Sequence, residues 1–517
     1  MRVLEGLQPE NVFAYFEEIA GIPRGSGNCR QISDWCVRFA AERNLFCIQD
    51  DACNIIIKKP GTPGYAHSAP VILQGHLDMV CEKEPDCTID FAREGLRLCR
   101  SGDRITAQGT TLGGDDGIGI AYALAILEAD DIPHPPLEAV FTTDEEIGML
   151  GASALESSPL KGKTMLNLDS EQEGHLLVSC AGGVTASCIF PVASEEAQGV
   201  CYALALRGLT GGHSGMEIDK QCANAIALLG RLLDELHRRI AYDLLTVSGG
   251  TKDNAIPRAS TAVLILDPED VPALKAFAEE YEAILRKEYA DTDPALAVTL
   301  RGFAQEEIGT AGADTHTGSG VDAAAGAKIM NTVRAARTGN NTYRVLTAGS
   351  KYRLVSALLN LPCGIQRMST LVPDLVQTSL NPGILQVGAQ QAVIRYCVRS
   401  SVESEKQALL SRMRNLTELL GGRLELAGDY PGMEYRRDSK LRELMIEVYE
   451  EQYGEKPVVE AVHAGVECGI FASKIPDLDC VSFGPELTGI HTTAEAMSVS
   501  SVQRVWEYLL EILKRLR

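Results

Sequence analysis

Short hydrophobic runs in the first third of the chain end repeatedly in acidic residues or histidine. Val71–Leu73 is followed by His76 and Asp78. Residues i and i+2 of an extended strand point to the same face, so these two side chains leave the strand side by side. Two further runs end in the same way, at Asp144–Glu146 and at Asp169. Because open α/β sheets hold their ligands at the carboxyl ends of strands, the pattern predicts a site built on strand ends.

The pattern changes at about residue 186, where strand-end acids stop and strands begin to alternate with helices. Helices are predicted at 222–239 and 270–289, and strands at 203–209, 243–248, 260–266 and 295–301. This alternation predicts a separate two-layer α/β domain. Residues 309–349 are rich in Ala, Gly, Thr and Asn and predict an insertion or mobile loop.

Strands that lead into a histidine return near the end of the chain, at His463 and His491. A chain of 517 residues is too long for one compact core. We therefore predict an α/β fold with a discontinuous first domain, a mixed central sheet flanked by helices. That domain would comprise residues 1–185 and 429–517, and residues 186–428 would form the inserted two-layer domain.

Composition narrows the possible partners and the compartment. The net charge of −22 comes from 70 acidic and 48 basic residues, which argues against nucleic acid or an anionic membrane as partner. The 15 cysteines include no CxxC pair, so reduced thiols are expected rather than a disulfide framework. The first residues lack the apolar core of a signal peptide, and no apolar window is long enough to span a membrane. We expect a cytoplasmic protein.

Six segments offer metal ligands, and together they carry imidazoles and carboxylates. They are His76 with Asp78, Asp115, Glu145 with Glu146, Asp169, His463 and His491. This donor set suits zinc, with manganese or cobalt as substitutes, and exceeds what one tetrahedral zinc needs. It fits two metals about 3.5–4 Å apart that polarise a carbonyl and activate a bridging water. A nearby unligated carboxylate would then take the proton of that water.

Other catalytic signatures are absent or misleading. The sequence has no G-x-S-x-G elbow, P-loop or HExxH motif. His213 and Ser214 are adjacent, and adjacent residues do not form a triad. Asp115 and Asp116 open a helix, where either could act as a cap. The helix needs only one of them, so the other is available as a ligand.

The motifs resemble those of the cocatalytic zinc peptidase superfamily that includes aminoacylases, bacterial carboxypeptidases and dipeptidases. Within it they are most similar to the dipeptidases that cleave aminoacyl-histidine. The motifs follow the family's order over nearly the whole chain: GHLDMV at 75–80, GGDDGIG at 113–119, TTDEEIG at 142–148, NLDSE at 167–171, GGHSG at 211–215, NAIPR at 254–258, RMS at 367–369, HAGVECG at 463–469 and GIH at 489–491.

The resemblance implies two Zn²⁺ per chain and a division of roles among the metal-site residues. The implied ligands are His76, Asp115, Glu146, Asp169 and His491, with Asp115 as the bridge. Asp78 would orient His76 and fix its tautomer. Glu145 would be the general base.

The resemblance also implies substrate-binding residues, most of them in the inserted domain, which would be a lid and a dimerisation domain. His213 and Arg399 would stabilise the oxyanion and grip the substrate carboxylate, and Asn254 would be a polar contact of the lid. His463 resembles a substrate-side residue, and a satisfied strand-end histidine is the alternative. The chain has His-Thr-Thr at 491–493 where the family commonly has His-Ser-Pro, and its 303–349 segment is longer than usual.

The expected function is metal-dependent hydrolysis of small unblocked dipeptides, with Xaa-His among the candidate substrates, by a homodimer. Two alternatives remain open at this stage. One is a related aminoacylase, tripeptidase or carboxypeptidase. The other is a catalytically silent metal-binding or scaffold protein of the same fold.

Overall fold

The computed structural model describes residues 2–304, 308 and 321–517, and these form two compact units. One unit combines Met1–Ala181 with Tyr430–Arg517, and the other is Gly182–Asp429. The first unit is therefore built from two separate stretches of chain. Helices and strands are numbered below in chain order.

The first stretch supplies most of the strands that carry the predicted ligands. Its helices are α1 (Glu10–Ala20), α2 (Arg30–Glu42), α3 (Gly114–Glu128) and α4 (Leu150–Ala154). Its strands are β1 (Phe46–Gln49), β2 (Ile55–Lys59), β3 (Val71–His76), β4 (Leu98–Ser101), β5 (Arg104–Ala107), β6 (Leu137–Thr142), β7 (Thr164–Asn167) and β8 (His175–Cys180). The interior of α3 is almost entirely apolar, and it is buried all round from Ile118 to Leu127.

The middle unit is rich in strands. They are β9 (Gly182–Pro191), β10 (Ser194–Gln198), β11 (Val200–Arg207), β12 (Gly212–His213), β13 (Asp243–Gly249), β14 (Ala255–Ile256), β15 (Ser260–Leu266), β16 (Ala297–Gly302), β17 (Arg337–Gly339), β18 (Thr342–Leu346), β19 (Gly364–Met368), β20 (Val376–Val387), β21 (Gln391–Ser400) and β22 (Arg423–Tyr430). Its helices are α5 (Ala225–His237), α6 (Val271–Glu288), α7 (Val321–Ala336), α8 (Ala348–Asn360) and α9 (Glu403–Leu419). Asn224 caps α5 by accepting hydrogen bonds from the N–H groups of Ile226 and Ala227.

The prediction of an insertion or mobile loop over 309–349 has two outcomes. Residues 309–320 lie outside the described part of the chain. From residue 321 onward the loop prediction is wrong, because α7, β17, β18 and the start of α8 occupy this stretch. Alanine is the best helix former, so the composition of 321–336 suits a helix as well as a loop.

The last stretch returns to the first unit. Its helices are α10 (Lys440–Tyr453), α11 (Glu467–Lys474) and α12 (Val499–Arg515), and its strands are β23 (Val458–Val462), β24 (Asp479–Ser482), β25 (Leu487–Thr488) and β26 (Ala496–Ser498). Ser439 and Ser498 cap α10 and α12 through their hydroxyl groups.

The central sheet of the first unit is mixed, with the strand order β1-β2-β6-β3-β7-β24-β8-β23. At its centre β3 runs parallel to both β6 and β7, so the carboxyl ends of these three strands meet at one edge. Along β3, Val71 and Leu73 pack into one apolar cluster and Ile72 into another, as expected when both faces of a sheet are covered. The predicted α/β fold with a mixed central sheet is confirmed.

The middle unit is organised around a sheet with the order β16-β11-β15-β13-β20-β21-β9-β22. Its core combines alternate residues of β11, β15 and β21 with the apolar face of α5, including Leu204, Leu264, Ile394 and Leu229. A short ribbon pairs β12 with β14 and places His213 opposite Ala255.

All 15 cysteines are free thiols. Among the helices of the described residues, none has the length and apolar character needed to cross a bilayer.

Candidate metal centre

The carboxyl edge of the central sheet gathers two histidines and three carboxylates. His76 ends β3, and its Nε2 lies 2.9 Å from Asp115 Oδ1 and 3.6 Å from Asp169 Oδ1. His491 Nε2 lies 3.2 Å from Asp115 Oδ2 and 3.0 Å from Glu146 Oε1. Asp115 therefore lies between the two imidazoles, with one oxygen facing each. The structure brings the five predicted ligands into two groups that share Asp115.

This geometry fits a pair of metal ions. The ligand atoms of His76, Asp115 and Glu146 all lie within 4.8 Å of one another. Imidazole nitrogen and carboxylate oxygen are the donors that zinc accepts together. A carboxylate with one oxygen facing each of two imidazoles can also bridge two metal ions.

Without metal, protons on the histidines compensate the carboxylates. Hydrogen bonds to Asp115 and Glu146 raise the pKa of His491 to about 10. Burial opposes the charge of His76, yet Asp169 and Asp115 raise its pKa well above the ordinary value. Burial likewise opposes ionisation of Asp115, and its hydrogen bonds with both histidines nevertheless keep its pKa far below the usual range. The cluster therefore requires positive charge, which metal ions can supply in place of protons.

Asp78 is fully buried and holds three parts of the site. Its carboxylate accepts hydrogen bonds from the Ser26 hydroxyl at 2.8 Å, the Glu145 N–H at 3.0 Å and the Glu146 N–H at 3.3 Å. Its Oδ1 also lies 3.5 Å from His76 Nδ1. Asp78 thus lies behind the His76 imidazole and binds the backbone of both glutamates.

Glu145 and Glu146 differ in their surroundings although they are adjacent. Glu146 contacts His491, as described above. Burial raises the pKa of Glu145 to about 9, and the charges of Asp169, Glu467 and Glu146 add to the effect. In the metal-free protein the Glu145 carboxyl therefore holds a proton at neutral pH, and cations bound beside it would lower its pKa.

Asp116 has a structural role that separates it from Asp115. Its Oδ1 accepts the Gly119 N–H at 3.2 Å and its Oδ2 accepts the His76 N–H at 3.0 Å. The carboxylate fits only because residues 75 and 119 are glycine. A Cβ at Gly75 would lie 2.1 Å from Asp116 Oδ2, and one at Gly119 would lie 2.2 Å from Oδ1. Asp116 is the helix-capping residue of the pair and also ties α3 to the end of β3.

A buried clamp formed by Arg24 and Glu495 holds the loop that carries Asp115. Glu495 accepts hydrogen bonds from the N–H groups of Leu112, Gly113 and Gly114 at 2.7, 3.1 and 2.8 Å. Arg24 donates to the carbonyl oxygens of Leu77 and Asp78, both at 2.9 Å, and to that of Gly113. Because Glu495 lies four residues after His491, the clamp also ties the Asp115 loop to the His491 loop.

Neither residue of this clamp stands out in the sequence as a candidate site residue. Arg24 lies in a glycine-rich loop, and Glu495 follows the polar stretch Thr492–Thr493 and one alanine. Both resemble ordinary surface residues in sequence, yet they are only 2% exposed. The one available signal was the position of Glu495 close to His491 in a motif.

The four residues predicted to bind substrate are divided between the two units. His463 follows β23 and is 7% exposed. His213, Asn254 and Arg399 belong to the middle unit, where the Ser214 N–H donates to the Asn254 carbonyl oxygen at 2.9 Å. His213 Nδ1 accepts the N–H groups of Gly215 and Met216 at 3.3 and 3.0 Å.

These contacts fix the tautomer of His213. Burial and the nearby Arg399 lower the pKa of the imidazole, so the neutral ring is favoured. Because Nδ1 accepts hydrogen bonds, the proton of the neutral ring is on Nε2. His213 therefore presents a hydrogen-bond donor at Nε2.

The chain is similar to a known peptidase family and to several characterised peptidases. Residues 72–515 match the model of peptidase family M20/M25/M40. The chain is 34% identical over 518 aligned residues to the cytosol non-specific dipeptidase of Escherichia coli strain K12, covering 100% of this chain and 99% of that protein. It is 32% identical to the crystal structure of aminoacylhistidine dipeptidase from Vibrio alginolyticus, with a TM-score of 0.88 and coverage of 99% and 97%. Aminopeptidase PepT from Bacillus cereus shares the fold, at 14% identity and a TM-score of 0.52, with coverage of 99% of each chain.

Proposed function

Since the chain belongs to peptidase family M20/M25/M40, we propose that it is a metal-dependent dipeptidase that hydrolyses the peptide bond of small unblocked dipeptides. The observation that carries the proposal is Asp115, whose two oxygens face His76 and His491 at 2.9 and 3.2 Å. Two Zn²⁺ per chain are proposed, with Mn²⁺ or Co²⁺ as substitutes. The named relatives are a non-specific and an aminoacylhistidine dipeptidase, so Xaa-His dipeptides are candidate substrates within a broader range.

The residues around the metal centre have distinct proposed roles. His76, Asp115, Glu146, Asp169 and His491 would hold the metals, which would polarise the scissile carbonyl and lower the pKa of a water. Glu145 would take the proton of the attacking water and deliver it to the leaving amine. Asp78 would keep Glu145 within reach, because it accepts the Glu145 N–H at 3.0 Å.

Residues beyond the metal centre would bind the substrate. The Nε2–H of His213 would donate to the developing oxyanion, and Arg399 would bind the substrate carboxylate. Asn254 and His463 are proposed as further substrate contacts. These four roles rest on the family resemblance and on the donor chemistry of each side chain.

A substrate panel on metal-defined protein tests the proposal. Purified protein is freed of metal, reloaded with Zn²⁺ and analysed for metal per chain. It is then assayed against free dipeptides, N-acetylated and C-amidated dipeptides, tripeptides and N-acyl amino acids, with Glu145→Gln as the inactive control. We expect hydrolysis of free dipeptides only, because blocking either terminus removes a charge that the site must recognise.

Each alternative predicts a different result of this panel. Preferred cleavage of N-acyl amino acids would indicate an aminoacylase, and preferred cleavage of tripeptides would indicate a tripeptidase. Release of a C-terminal residue from longer peptides would indicate a carboxypeptidase. A protein that binds metal but cleaves none of these compounds would be a silent member of the fold, and the proposal would be wrong.

We also propose how the protein assembles and where in the cell it is located. Gly182–Asp429 would act as a lid and dimerisation domain, and the protein would be a cytoplasmic homodimer. The relative described as cytosolic supports the location. Sedimentation tests the assembly, and a fully active monomer would exclude an obligate dimer. Activity recovered by mixing His213→Ala protein with a ligand-deficient variant would place His213 in the site of the partner subunit.

A further inference from the structure

Four buried polar side chains form a belt directly below the metal centre. The belt consists of Gln74, Thr142, Asn167 and Glu467, and each is 0% exposed. Three of them precede a proposed metal ligand on the same stretch of chain. Gln74 lies two residues before His76, Asn167 two before Asp169, and Thr142 four before Glu146. The belt therefore underlies all three central ligand-bearing strands, β3, β6 and β7.

Glu467 closes this belt. Its Oε2 accepts hydrogen bonds from Gln74 Nε2 and Thr142 Oγ1, both at 2.6 Å. Gln74 Oε1 in turn accepts a hydrogen bond from Asn167 Nδ2. The side chains thus link β7 to β3 and, through Glu467, β3 to β6. The network also fixes the amide of Gln74, whose oxygen faces Asn167 and whose nitrogen faces Glu467.

The position of Glu467 is costly for a carboxyl group. It is the first residue of α11, and the residues that follow it, including Cys468 and Phe471, belong to an apolar core. Burial raises the pKa of Glu467 to about 8. An apolar side chain would avoid the desolvation cost, but it could not accept the two hydrogen bonds from Gln74 and Thr142.

We propose that Glu467 is a positioning residue of the metal centre, which acts by accepting the hydrogen bonds of Gln74 and Thr142. The acceptor oxygen fixes the lateral spacing and register of β3 and β6 at the level where His76 and Glu146 leave the sheet. In the absence of this oxygen, the Gln74 amide keeps only Thr142 Oγ1 as acceptor and the Thr142 hydroxyl keeps only the Gly75 carbonyl oxygen, both at 3.3 Å. The strand ends must then shift or admit water to satisfy these donors fully. The inference rests on the proposed function in that it takes the cluster above the belt to hold metal.

Zn²⁺ affinity, measured by competition with a chelator, tests the role without reference to turnover. Glu467→Ala removes the acceptor, whereas Glu467→Gln keeps an acceptor oxygen in the same shape. Thr142→Val and Thr142→Ser form a second pair that removes or keeps the donor. Glu138→Ala is the matched control, because Glu138 is a buried carboxylate of the same strand β6 that binds Lys58 and the N–H groups of Lys161 and Gly162.

The expected result is a selective loss of metal affinity. Glu467→Ala and Thr142→Val should weaken Zn²⁺ binding by about 10- to 100-fold, as substitutions behind metal ligands generally do. Glu467→Gln, Thr142→Ser and Glu138→Ala should stay within about threefold of wild type. At saturating Zn²⁺, kcat should recover in Glu467→Gln and remain reduced in Glu467→Ala, with KM little changed in both.

Two results would overturn the role of Glu467. One is a Glu467→Ala protein that binds Zn²⁺ no more weakly than Glu138→Ala, and the other is a Glu467→Gln protein as weak as Glu467→Ala. If Glu467→Ala does not fold, the Thr142 pair decides, and equal affinity of its two members would refute the belt. Wild-type protein that binds Zn²⁺ tightly but cleaves no dipeptide would overturn the proposed function and leave this test valid.

Discussion

Replacement of Asp78 by Asn tests how the metal centre is held from behind. Asp78 Oδ1 accepts the Glu145 N–H and lies 3.5 Å from His76 Nδ1, and Oδ2 accepts the Glu146 N–H and the Ser26 hydroxyl. An Asn has one acceptor oxygen. Its least costly orientation places the NH₂ group at the Oδ2 position, because the Ser26 hydroxyl can rotate and accept. The Glu146 N–H then faces another donor and loses its partner.

The expected loss follows from this one unsatisfied contact. A buried donor without a partner costs about 1–3 kcal/mol. At about 1.4 kcal/mol per tenfold change, the cost corresponds to a loss of about 5- to 150-fold. Loss of the anion behind His76 adds to it, since an anionic partner raises the basicity of a ligating imidazole. We therefore expect Asp78→Asn to lower both the Zn²⁺ affinity and kcat/KM at saturating Zn²⁺ by about 5- to 150-fold.

The assay combines chelator competition with steady-state kinetics on a free dipeptide. Ser26→Ala is the matched control, because it removes only the hydroxyl and leaves the carboxylate and its three other contacts in place. It should stay within about threefold of wild type. The reasoning would be refuted if Asp78→Asn matched wild type in both measurements, or if Ser26→Ala lost as much as Asp78→Asn.

Further predictions concern the glutamates, the clamp and the effect of pH. Glu145→Gln should keep both metals and lose about 10²- to 10⁴-fold in turnover, whereas Glu146→Gln should lose one metal per chain. Metal analysis and turnover at one Zn²⁺ concentration check this pair, and a Glu145→Gln protein that sheds metal would reverse the roles. Glu495→Gln should weaken Zn²⁺ binding by about 5- to 150-fold in the same chelator competition, because its NH₂ group would face backbone donors; an unchanged affinity would exclude the clamp. The pKa of His491 is raised from 6.5 to about 10 in the metal-free protein, so its stabilising contribution is complete below pH 6.5 and is lost as pH rises through about 10. Denaturant midpoints of metal-free protein should fall over this window, and metal-free His491→Gln should show a smaller fall; equal slopes would contradict the assignment.

The local patterns of the sequence were sufficient to predict the strands of the central sheet and the strand ends at which the candidate ligands lie. The burial of β3 and β6 follows from their apolar runs, and the i, i+2 spacing placed His76 and Asp78 together at a strand end. These inferences work because they depend on neighbours a few residues apart. Over 321–346, an alanine-rich composition predicts a loop, whereas the chain folds as a helix and two strands. Composition alone does not separate a mobile loop from a helix that is stabilised by packing.

The different roles of Asp115 and Asp116 could not be predicted from local sequence patterns. Both follow two glycines at the start of a helix, so the sequence alone left open which one caps it. The fold decides, because Gly75 and Gly119 leave room for the Asp116 carboxylate against the end of β3, while Asp115 faces the two histidines.

By itself, the sequence determined the strand-end positions of the candidate ligands, the chemistry of the donor set and the family to which the chain belongs. Only the tertiary structure decided what holds those ligands in place: Glu495 on the N–H groups of residues 112–114, Arg24 on the Gly113 carbonyl, and Glu467 between Gln74 and Thr142. The physical reason is separation along the chain. Leu112 and Glu495 are 383 residues apart, and Gln74 and Glu467 are 393 apart. No local pattern encodes such a contact, because a buried carboxylate finds its donors only when the chain has folded around it.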